Sequence, residues 1–361
     1  KGNFLGVTYP MVKDLGLGFF AVQQSEGYWE IFQIKDGALV GFNTPYTLDE
    51  VGIFTEDGVC SFRYGGYAGV IDKNGKVLIE PNRFLSIGEF HDGLAVANDN
   101  NTKGYITLKG DWVYSENFTD IYAAKFLYAF RNGFAVFEKE KYKYTYMDKT
   151  GKLPFSKTWT SCNDFTKEGF ARVAIPDKQS YYKYGVINIK GEYVLKPVYR
   201  DIQLYENNLV VFQDSSGRGL MNIATQKVII PPTDVDEITI VGERVRLKKT
   251  GERWGYINER GEFVIQPQFE YAGDFEKGVA SVLKNGYNYF INKKGEKVAR
   301  KNESSHDLFI DTDGMKDVLK SYTTLQPVIS TSYDRIIESQ SVSGLFFVNL
   351  GGVRQEMIFV S

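Results

Sequence analysis

Cysteine and histidine are scarce in this chain of 361 residues, which contains only two of each. Metal centres built from these side chains need three or four such ligands close together, so a zinc-type site is excluded. Neither a metal nor another cofactor is expected. Cys60 and Cys162 are far apart in the sequence and form no disulfide framework, which predicts two unpaired thiols.

Catalytic motifs are also missing: the sequence has no Gly-x-Ser-x-Gly, no His-Glu-x-x-His, no paired Cys-x-x-Cys and no phosphate loop. His91 occupies a turn position where other copies of the local pattern have Lys-Glu or Arg-Asn, and His306 lies in a polar stretch. Both are interpreted as solvated residues, not bases. We therefore expect no catalytic residue and no enzyme. The alternative is an enzyme with scattered carboxylates, which needs two of them in one pocket about 5 to 10 Å apart.

The charge is nearly balanced, at −2 with a pI near 5.9. There is no basic stripe for nucleic acid, and no apolar run approaches the roughly 20 residues of a membrane helix. We expect a monomer without a membrane span. The chain begins at Lys1, and we expect a mature or trimmed form from which a signal or lipid-attachment segment has been removed.

A short hairpin recurs eight times between residues 31 and 295, and its clearest copy is 254–267. A turn recurring roughly every 37 residues indicates a repeat protein. The turn position holds glycine in seven copies and threonine in one: Gly37, Gly75, Gly110, Gly151, Gly191, Thr225, Gly261 and Gly295.

Each repeat is predicted to hold three strands. The first follows a glycine, which Asn208 replaces in one copy, and the second is of the Gly255-Tyr256-Ile257 type. The third is predicted to end at a proline, because proline cannot donate to a strand ladder. The next 10 to 15 residues form a fourth short strand or an ordered loop, and the pattern does not decide. The prolines are Pro81, Pro197, Pro231 and Pro267.

The predicted fold is an all-β tandem repeat of about eight three-stranded units of roughly 37 residues, stacked to share one core. A propeller-like arrangement is preferred to an open β-solenoid. The predicted domains are a single repeat array over 1–300, an irregular or helical insertion over 301–332 and a degenerate C-terminal unit or cap over 333–361. Residues 1–22 resemble the tail of an incomplete unit. A short amphipathic helix, capped by Asp313, is predicted over 313–322.

Three groups of side chains could be taken for sites. Residues 311–314 contain part of a calcium loop but lack its other ligands, so helix capping explains them better.

The tyrosines and tryptophans alternate with aliphatic residues, which indicates core packing. The best candidates for exposed rings are those surrounded by lysines, namely Tyr181, Tyr182 and the run from Tyr142 to Tyr146. Asx residues before the turns are expected to bond the turn backbone and not a ligand: Asp72, Asp148, Asn188, Asn222, Asn258 and Asn292.

The pattern Trp-Gly-Tyr-Ile-Asn, a turn, Gly-x-x-Val-Ile-x-Pro-x-Phe and then Phe-x-x-Gly-x-Ala-x-Val resembles the WG β-repeat family of bacterial proteins. Residues 254–282 match best, and 69–97 and 185–212 match well. The Trp-Gly pair itself survives only at Trp254-Gly255, while Tyr144, Tyr184 and Arg218 stand near the Trp place elsewhere. The resemblance implies an extracytoplasmic scaffold, in the periplasm or at the cell surface, and no catalytic residue.

The expected function is therefore a non-catalytic scaffold that binds a protein in a bacterial cell envelope. The alternative is a carbohydrate-binding repeat module at the cell surface. A flat, mixed-charge face would favour a protein partner, and a row of exposed Tyr or Trp would favour glycans. No binding residue is assigned from the sequence.

Overall fold

The computed structural model describes residues 2–9, 11–24, 27–35, 38–118, 126–178, 181–233, 235–241, 244–249, 251–258, 260–275, 278–298, 308–313, 316–321, 335–338, 345–350 and 354–360. Contacts between residues divide the chain into two compact units. The first unit contains Lys1–Phe130 and Asn302–Ser361, and the second contains Arg131–Lys301. The predicted division into 1–300, 301–332 and 333–361 stays a prediction.

Strand β1 (Gly2–Tyr9) opens the chain, and eight antiparallel sheets then follow between residues 11 and 298. Each sheet surrounds one of the eight predicted turns, so the number of repeats is confirmed. The strands, sheet by sheet, are: sheet 1, β2 (Met11–Gly16), β3 (Phe19–Gln23), β4 (Trp29–Lys35), β5 (Ala38–Phe42); sheet 2, β6 (Glu50–Val51), β7 (Val59–Tyr64), β8 (Tyr67–Asp72), β9 (Val77–Phe84); sheet 3, β10 (Ser86–Ile87), β11 (Leu94–Asn98), β12 (Thr102–Thr107), β13 (Trp112–Asn117); sheet 4, β14 (Phe134–Glu140), β15 (Lys143–Asp148); sheet 5, β16 (Ser161–Cys162), β17 (Phe170–Pro176), β18 (Tyr182–Asn188), β19 (Tyr193–Tyr199); sheet 6, β20 (Asp201–Leu204), β21 (Leu209–Gln213), β22 (Arg218–Asn222), β23 (Lys227–Thr233); sheet 7, β24 (Val235–Val241), β25 (Arg244–Lys249), β26 (Trp254–Ile257), β27 (Phe263–Phe269); sheet 8, β28 (Tyr271–Ala272), β29 (Val279–Lys284), β30 (Tyr287–Asn292), β31 (Lys297–Val298).

Seven of these sheets have four strands, where the sequence predicted three. The additional strand comes from the spacer after the proline and pairs as the first strand of the next sheet, as β28 does with β29. In four of the sheets this strand is only two residues long, too short for an alternating pattern to reveal it. Sheet 4 is described with two strands, and Tyr144 and Trp159 form an isolated bridge beside it.

The predicted strand ends at the prolines are wrong. Pro81, Pro197, Pro231 and Pro267 lie inside the fourth strands, which continue two or three residues further. The fourth strand is an edge strand, and its register shifts near the proline, as between Ala68 and Val70 in the pairing of β8 with β9. Proline is tolerated at a bulge on an edge because its missing N–H would have no partner there.

The chain's first strand lies in the same sheet as its last strands. Strand β1 pairs antiparallel with β36 (Arg354–Val360), which pairs in turn with β35 (Leu345–Leu350) and then β34 (Arg335–Glu338). Of the incomplete unit predicted over residues 1–22, only β1 lies in this sheet, since β2 and β3 belong to sheet 1. The succession of four-stranded antiparallel sheets fits the propeller-like alternative.

The predicted helix over 313–322 is wrong. Strands β32 (Leu308–Asp313) and β33 (Lys316–Ser321) form an antiparallel hairpin in which Asp313 pairs with Lys316. A two-residue connection that begins with glycine, here Gly314-Met315, is a sequence signal for a tight hairpin turn, and it outweighs the helical spacing of four apolar residues. Asp313 is therefore the end of a strand and not a helix cap. Among the described residues the only helical element is a 3-10 turn at Glu206–Asn208.

The hydrophobic core lies between successive sheets, as repeat stacking requires. In the first unit, one cluster joins sheets 1 and 2 around Phe19 and Phe62, and the next joins sheets 2 and 3 around Val70 and Phe90. In the second unit, three further clusters join sheet 5 to 6, 6 to 7 and 7 to 8. No sheet buries both faces by itself, so each repeat depends on its neighbours.

The turns between third and fourth strands are built as the sequence predicts. In the clearest copy Gly261 has a φ of 82°, and the Asn258 side chain accepts the N–H groups of Arg260 and Glu262 at 2.9 and 3.1 Å. The Asx residues thus bond the turn backbone, which confirms that interpretation. Where Thr225 replaces glycine the turn changes, and Gln226 takes the positive φ. Gly37 lies outside the described residues.

Candidate binding surface

The described residues show no reactive cluster. They contain no group of three or more His, Cys, Asp or Glu side chains that could hold a metal ion. Cys60 and Cys162 are free thiols, and burial raises the pKa of each to about 12. A thiol is a nucleophile only as its thiolate, so neither is activated. No helix in the described part of the chain is long and apolar enough to cross a membrane.

The histidines give no catalytic arrangement either. His91 lies in the turn before β11, where its N–H and C=O both bond Leu94 and its ring contacts the Glu89 carboxylate at 3.3 Å. It is half-buried, where the sequence predicted a solvated residue. His306 lies outside the described residues.

Buried tyrosines in the third strands tie each repeat to the next segment of the chain. The Tyr256 hydroxyl donates to the carbonyl of Gly273 at 2.7 Å, and Tyr146 donates to Asn163 at 2.6 Å. Tyr105 makes the equivalent bond to Tyr128 at 2.6 Å. Burial raises the pKa of all three hydroxyls. These rings serve the core, as the alternating pattern predicted.

Two arginines reach across the same kind of junction. Arg172, on β17, donates to the carbonyl of Ile202 on β20 at 2.8 Å, and its guanidinium lies 4.4 Å from the centre of the Tyr184 ring. Arg246, on β25, bonds the Ala272 carbonyl on β28 at 2.5 Å and pairs with Asp274 at 2.8 Å. Both acceptors lie on the first strand of the next sheet, which is an edge strand. The arginines therefore cover edge carbonyls that would otherwise be open.

Exposed tyrosines concentrate on one connection of the repeat, between the second and third strands. We call the connections β3–β4, β7–β8, β14–β15, β17–β18 and β29–β30 the tyrosine hairpins. Among the described residues eight tyrosines are exposed, and all except Tyr271 lie on these hairpins. In a meander this connection is at the opposite end of the sheet from the Asx turns. The hairpin tyrosines are Tyr28, Tyr64, Tyr67, Tyr142, Tyr181, Tyr182 and Tyr287.

Two tyrosine hairpins follow one another in the second unit and carry mixed charge. The β14–β15 hairpin has three lysines against two glutamates within residues 138–143, and the β17–β18 hairpin has two lysines against one aspartate within 177–183. Lys141 lies 5.2 Å from the ring centre of Tyr142, and Lys143 pairs with Glu140 at 2.6 Å, which lowers the pKa of that carboxyl. Each hairpin keeps one excess positive charge.

The tips of these hairpins are held in place by their own side chains. Glu138 accepts the backbone N–H of Tyr142 at 2.9 Å, and Asp177 accepts that of Tyr181 at 3.0 Å. In the first unit, Asp49 accepts the N–H of Gly65 at 2.8 Å, beside Tyr64. These bonds hold the backbone at Tyr142 and Tyr181 and next to Tyr64.

An open groove lies between sheets 5 and 6 of the second unit, with a volume of about 490 Å³. It is bounded by the segment after β16, by β17 and by the first strand of the next sheet, β20. The lining residues are Asn163, Asp164, Thr166, Arg172, Ile202, Gln203, Leu204 and Tyr205.

One wall of this groove carries a row of hydrogen-bonded polar groups. The Tyr205 hydroxyl donates to Gln203 Oε1 at 2.7 Å, and the Gln203 amide reaches Asp201 at a longer 3.5 Å. Asp201 then pairs with Arg172 at 3.2 Å. Burial, followed by the nearby Asp201 carboxylate, raises the pKa of Tyr205. Ile202, between these residues, is fully buried, so the strand alternates a polar row with the core.

The equivalent junction of sheets 2 and 3 in the first unit forms a smaller groove of about 200 Å³. There Ser61 takes the place on the second strand that Arg172 has on β17, and Ser86 and Ile87 form the opposite wall. Each of the two grooves is lined by one carboxylate, Glu50 in one and Asp164 in the other.

The sequence located part of this surface. Tyr142, Tyr181 and Tyr182 are exposed as predicted, whereas Tyr146, which the same run included, is fully buried in the core. Four exposed tyrosines were missed, although each stands directly beside a glycine of its hairpin: Tyr28, Tyr64, Tyr67 and Tyr287. That glycine-tyrosine adjacency was the available signal.

The sheets and their repeated junctions define an all-β tandem-repeat protein. Three stretches, 69–102, 184–215 and 254–287, match the family described as WG containing repeat. The chain thus contains three copies of this repeat, which confirms the resemblance seen in the sequence. No curated protein matches it.

Solved structures with a similar arrangement of strands are distant. An entity described as the eukaryotic initiation factor is 10% identical with a TM-score of 0.46, covering 80% of this chain and 87% of its own. BamB from Moraxella catarrhalis is 10% identical with a TM-score of 0.32, covering all of both chains. The C-terminal WD40 domain of Sif2 is 9% identical with a TM-score of 0.37, covering 100% and 98%. Likeness at this distance assigns no function to the chain.

Proposed function

We propose that this protein is a non-catalytic binding scaffold that recognises a protein partner through its tyrosine hairpins, in a bacterial cell envelope. The concentration of exposed tyrosines on one connection of the repeat carries the proposal. Tyrosine supplies a large contact area with little conformational freedom to lose and a hydroxyl that can hydrogen-bond, which is why it is enriched at protein interfaces.

The order of the hairpin tips strengthens this proposal. Since Tyr142 and Tyr181 lie on turns fixed by side-chain hydrogen bonds, a partner would not have to order them on binding. The excess positive charge on both hairpins suits a partner with an acidic face. The mixed charge of these hairpins is the feature expected for a protein partner, whereas exposed tyrosines by themselves were the feature expected for glycans.

The proposal that the protein is not an enzyme is supported by the chemistry of its described grooves. A glycosidase needs two carboxylates facing one bond, whereas the lining of each groove includes one. Asp201, at the end of the polar row of the larger groove, is paired with Arg172. Neither thiol is activated, because burial raises the pKa of Cys60 and of Cys162 to about 12.

The envelope location in the proposal is supported by the resemblance to WG repeats of bacterial proteins. It is tested by fractionating the source cells and detecting the chain with an antibody. Recovery with the periplasmic or membrane-associated fraction is expected, and recovery in the cytosol alone contradicts it.

Partner recognition is tested by comparing three forms of the immobilised chain in an envelope extract, with mass spectrometry as the readout. The forms are the unchanged chain, the triple variant Tyr142→Ser, Tyr181→Ser, Tyr182→Ser, and the control Tyr271→Ser. Tyr271 is exposed but lies on a first strand, outside the two hairpins that the triple variant changes. Circular dichroism establishes that all three forms melt alike.

We expect one or two proteins to be captured stoichiometrically by the unchanged chain and the control, and to fall at least about tenfold with the triple variant, since anchor tyrosines carry about 1–2 kcal/mol or more each. Capture that is equal for all three forms contradicts the hairpin site. Absence of any captured protein, together with binding on a glycan array, supports the carbohydrate-binding alternative instead.

A further inference from the structure

We propose that the groove between sheets 5 and 6 binds a neutral, polyhydroxylated ligand, an oligosaccharide in chemical class. This site is separate from the tyrosine hairpins and goes beyond the proposed function. Three features of the groove support this proposal. Its volume suits a ligand, its lining carries carboxamide and hydroxyl groups, and side chains already bond main-chain carbonyl groups at its walls.

The size and openness of the groove fit a segment of a longer chain molecule. Its volume of about 490 Å³ is within the range of roughly 300 to 1,000 Å³ typical of ligand sites. Asn163, Asp164 and Gln203 are exposed along its rim, so the groove is not an enclosed chamber. A chain-like ligand can extend beyond both ends of an open groove, so it fits this groove better than a small molecule that must be enclosed.

The groove is poorly suited to adding an extended peptide as another strand. Strand β20 is the edge of sheet 6, but Arg172 occupies its Ile202 carbonyl at 2.8 Å. On the other wall, Tyr146 occupies the Asn163 carbonyl at 2.6 Å. Strand addition depends on free main-chain groups, so a peptide would have to displace these side chains. Side chains are therefore the contacts available to a ligand.

Those side chains match hydroxyl groups. Asn163 and Gln203 each carry both donors and an acceptor, and Thr166 and Tyr205 carry hydroxyls that can do either. The Asn163 Oδ1 already accepts from Arg172 Nε at 3.3 Å, and the Thr166 hydroxyl accepts from the Phe170 N–H at 3.4 Å, so the Asn163 amide offers a ligand its N–H donors. The bond from Tyr205 to Gln203 Oε1 at 2.7 Å fixes the Gln203 amide, so that its nitrogen donates away from Tyr205. A ligand with adjacent hydroxyls can accept from this amide and donate to neighbouring oxygens.

The charges in the groove favour a neutral ligand over an anion. Arg172 is the only cationic side chain in the lining, and it is already bonded to Asp201 at 3.2 Å and to the Ile202 carbonyl. The Asp164 carboxylate also faces the groove. A phosphate or carboxylate would have to compete with Asp201 for Arg172 and would meet repulsion from Asp164.

Comparison with the junction of sheets 7 and 8 supports this assignment. There the corresponding arginine, Arg246, also bonds an edge-strand carbonyl, that of Ala272. Its ion pair is formed with Asp274, which follows the edge strand, whereas Arg172 pairs with Asp201 on the edge strand itself. The row formed by Asp201, Gln203 and Tyr205 has no counterpart there, because Tyr271, Gly273 and Phe275 stand at the matching positions. The polar row is thus a local feature of one junction and not a requirement of the fold.

The test is a glycan array followed by isothermal titration calorimetry with neutral oligosaccharides of glucose, mannose and N-acetylglucosamine. Three forms of the full chain are compared: unchanged, Gln203→Ala and the control Gln266→Ala. Gln266 is exposed on the fourth strand β27, outside the groove. A fourth form, Tyr205→Phe, removes only the hydroxyl that orients Gln203.

We expect a neutral oligosaccharide to bind the unchanged chain and the Gln266→Ala control equally. Affinity should fall at least about tenfold in Gln203→Ala and less in Tyr205→Phe, because loss of a ligand hydrogen bond costs more than loss of its orientation. Binding that Gln203→Ala leaves unchanged, binding of anionic glycans alone, or no binding by the unchanged chain overturns the proposal. Each result is independent of whether a protein is captured at the tyrosine hairpins.

Discussion

The hydroxyl of Tyr256 donates a 2.7 Å hydrogen bond to the backbone carbonyl of Gly273, which follows the first strand of the next sheet. Tyr256 is fully buried, so the bond is formed in the core and shielded from water. It satisfies a carbonyl next to an edge strand and at the same time joins two repeats. In other repeats Val70, Val186 or Leu220 stands at this position, and packing alone joins the sheets there.

We predict that Tyr256→Phe lowers the free energy of unfolding by about 1–3 kcal/mol, because the ring stays but the Gly273 carbonyl loses its partner. Urea denaturation followed by fluorescence measures the change. Tyr271→Phe is the matched control, since Tyr271 is half exposed and its hydroxyl is free to bond water. Equal values for the two variants would show that the Tyr256 bond adds nothing to stability.

The Arg246–Asp274 pair should matter more than a pair at the surface. Its side chains are 13% and 26% exposed, whereas those of the Arg253–Glu270 pair are 48% and 36% exposed. We predict a loss of about 1–3 kcal/mol for Arg246→Gln, which leaves the Asp274 charge and the Ala272 carbonyl without their partner. Arg253→Gln should cost under about 1 kcal/mol, as exposed pairs do. Thermal unfolding of both variants measures the two losses of stability. A larger loss for Arg253→Gln than for Arg246→Gln contradicts the role given to Arg246.

The turn at Gly261 gives a prediction about backbone strain. Gly261 has a φ of 82°, and a Cβ there would meet the Ile229 carbonyl oxygen at 2.8 Å. Gly261→Val should therefore lower the melting temperature by several degrees, with a cost of roughly 1–3 kcal/mol. Gly251 also has a positive φ but has nothing within 4 Å of such a Cβ. Gly251→Val should therefore introduce the backbone strain without the steric clash, and it should lower the stability less than Gly261→Val does. A melting temperature that Gly261→Val leaves unchanged would show that the turn is assigned wrongly.

The raised pKa values of Cys60, which is buried, and of Cys162, which is half-buried, predict slow thiol chemistry at neutral pH. A rise in the pKa of Cys60 from 9.0 to about 12 reduces its thiolate fraction about a thousandfold. We expect both cysteines of the native chain to react with Ellman's reagent at pH 8 far more slowly than in guanidinium chloride. A native rate within a few-fold of the unfolded rate contradicts their burial.

The same groups predict a loss of stability in alkali. The folded-state pKa values of Cys60, Tyr105, Tyr146 and Tyr256 are raised above their ordinary values of 9.0 and 10.0. Their contribution to stability is complete below pH 9 and is lost as the pH rises toward the folded-state pKa values. The melting temperature should be level from pH 7 to 8.5 and fall above pH 9, with tyrosine ionisation at 295 nm accompanying unfolding. Ionisation of all tyrosines near pH 10 without unfolding is the opposite outcome.

The sequence predicted what depends on local chemistry. Asn258 and Gly261 specify a turn by themselves, so eight copies of that turn revealed eight sheets. The sequence did not decide whether the spacer forms a strand or a loop. In sheet 8 the reason is that the strand Tyr271–Ala272 is stabilised by pairing with β29 and has no alternating pattern of its own. The helix over 313–322 failed for a related reason: pairing of Lys316–Ser321 with Leu308–Asp313 is a tertiary choice that overrides spacing.

The candidate sites depended even more on tertiary structure. Lysines beside Tyr142 and Tyr181 indicated exposure correctly, because charged neighbours keep a hairpin in water. The same reasoning misplaced Tyr146, whose ring faces the next sheet and bonds Asn163. The groove between sheets 5 and 6 combines residues 163–172 with 202–205, and no spacing in the sequence shows that these segments meet.

Hydroxyl-radical footprinting of the chain with and without its captured protein partner tests most directly whether the tyrosine hairpins form the binding surface. The account predicts protection of Tyr142, Tyr181 and Tyr182 in the complex, with Tyr271 oxidised at the same rate in both samples. Protection of Tyr271 with no protection on any tyrosine hairpin would contradict it.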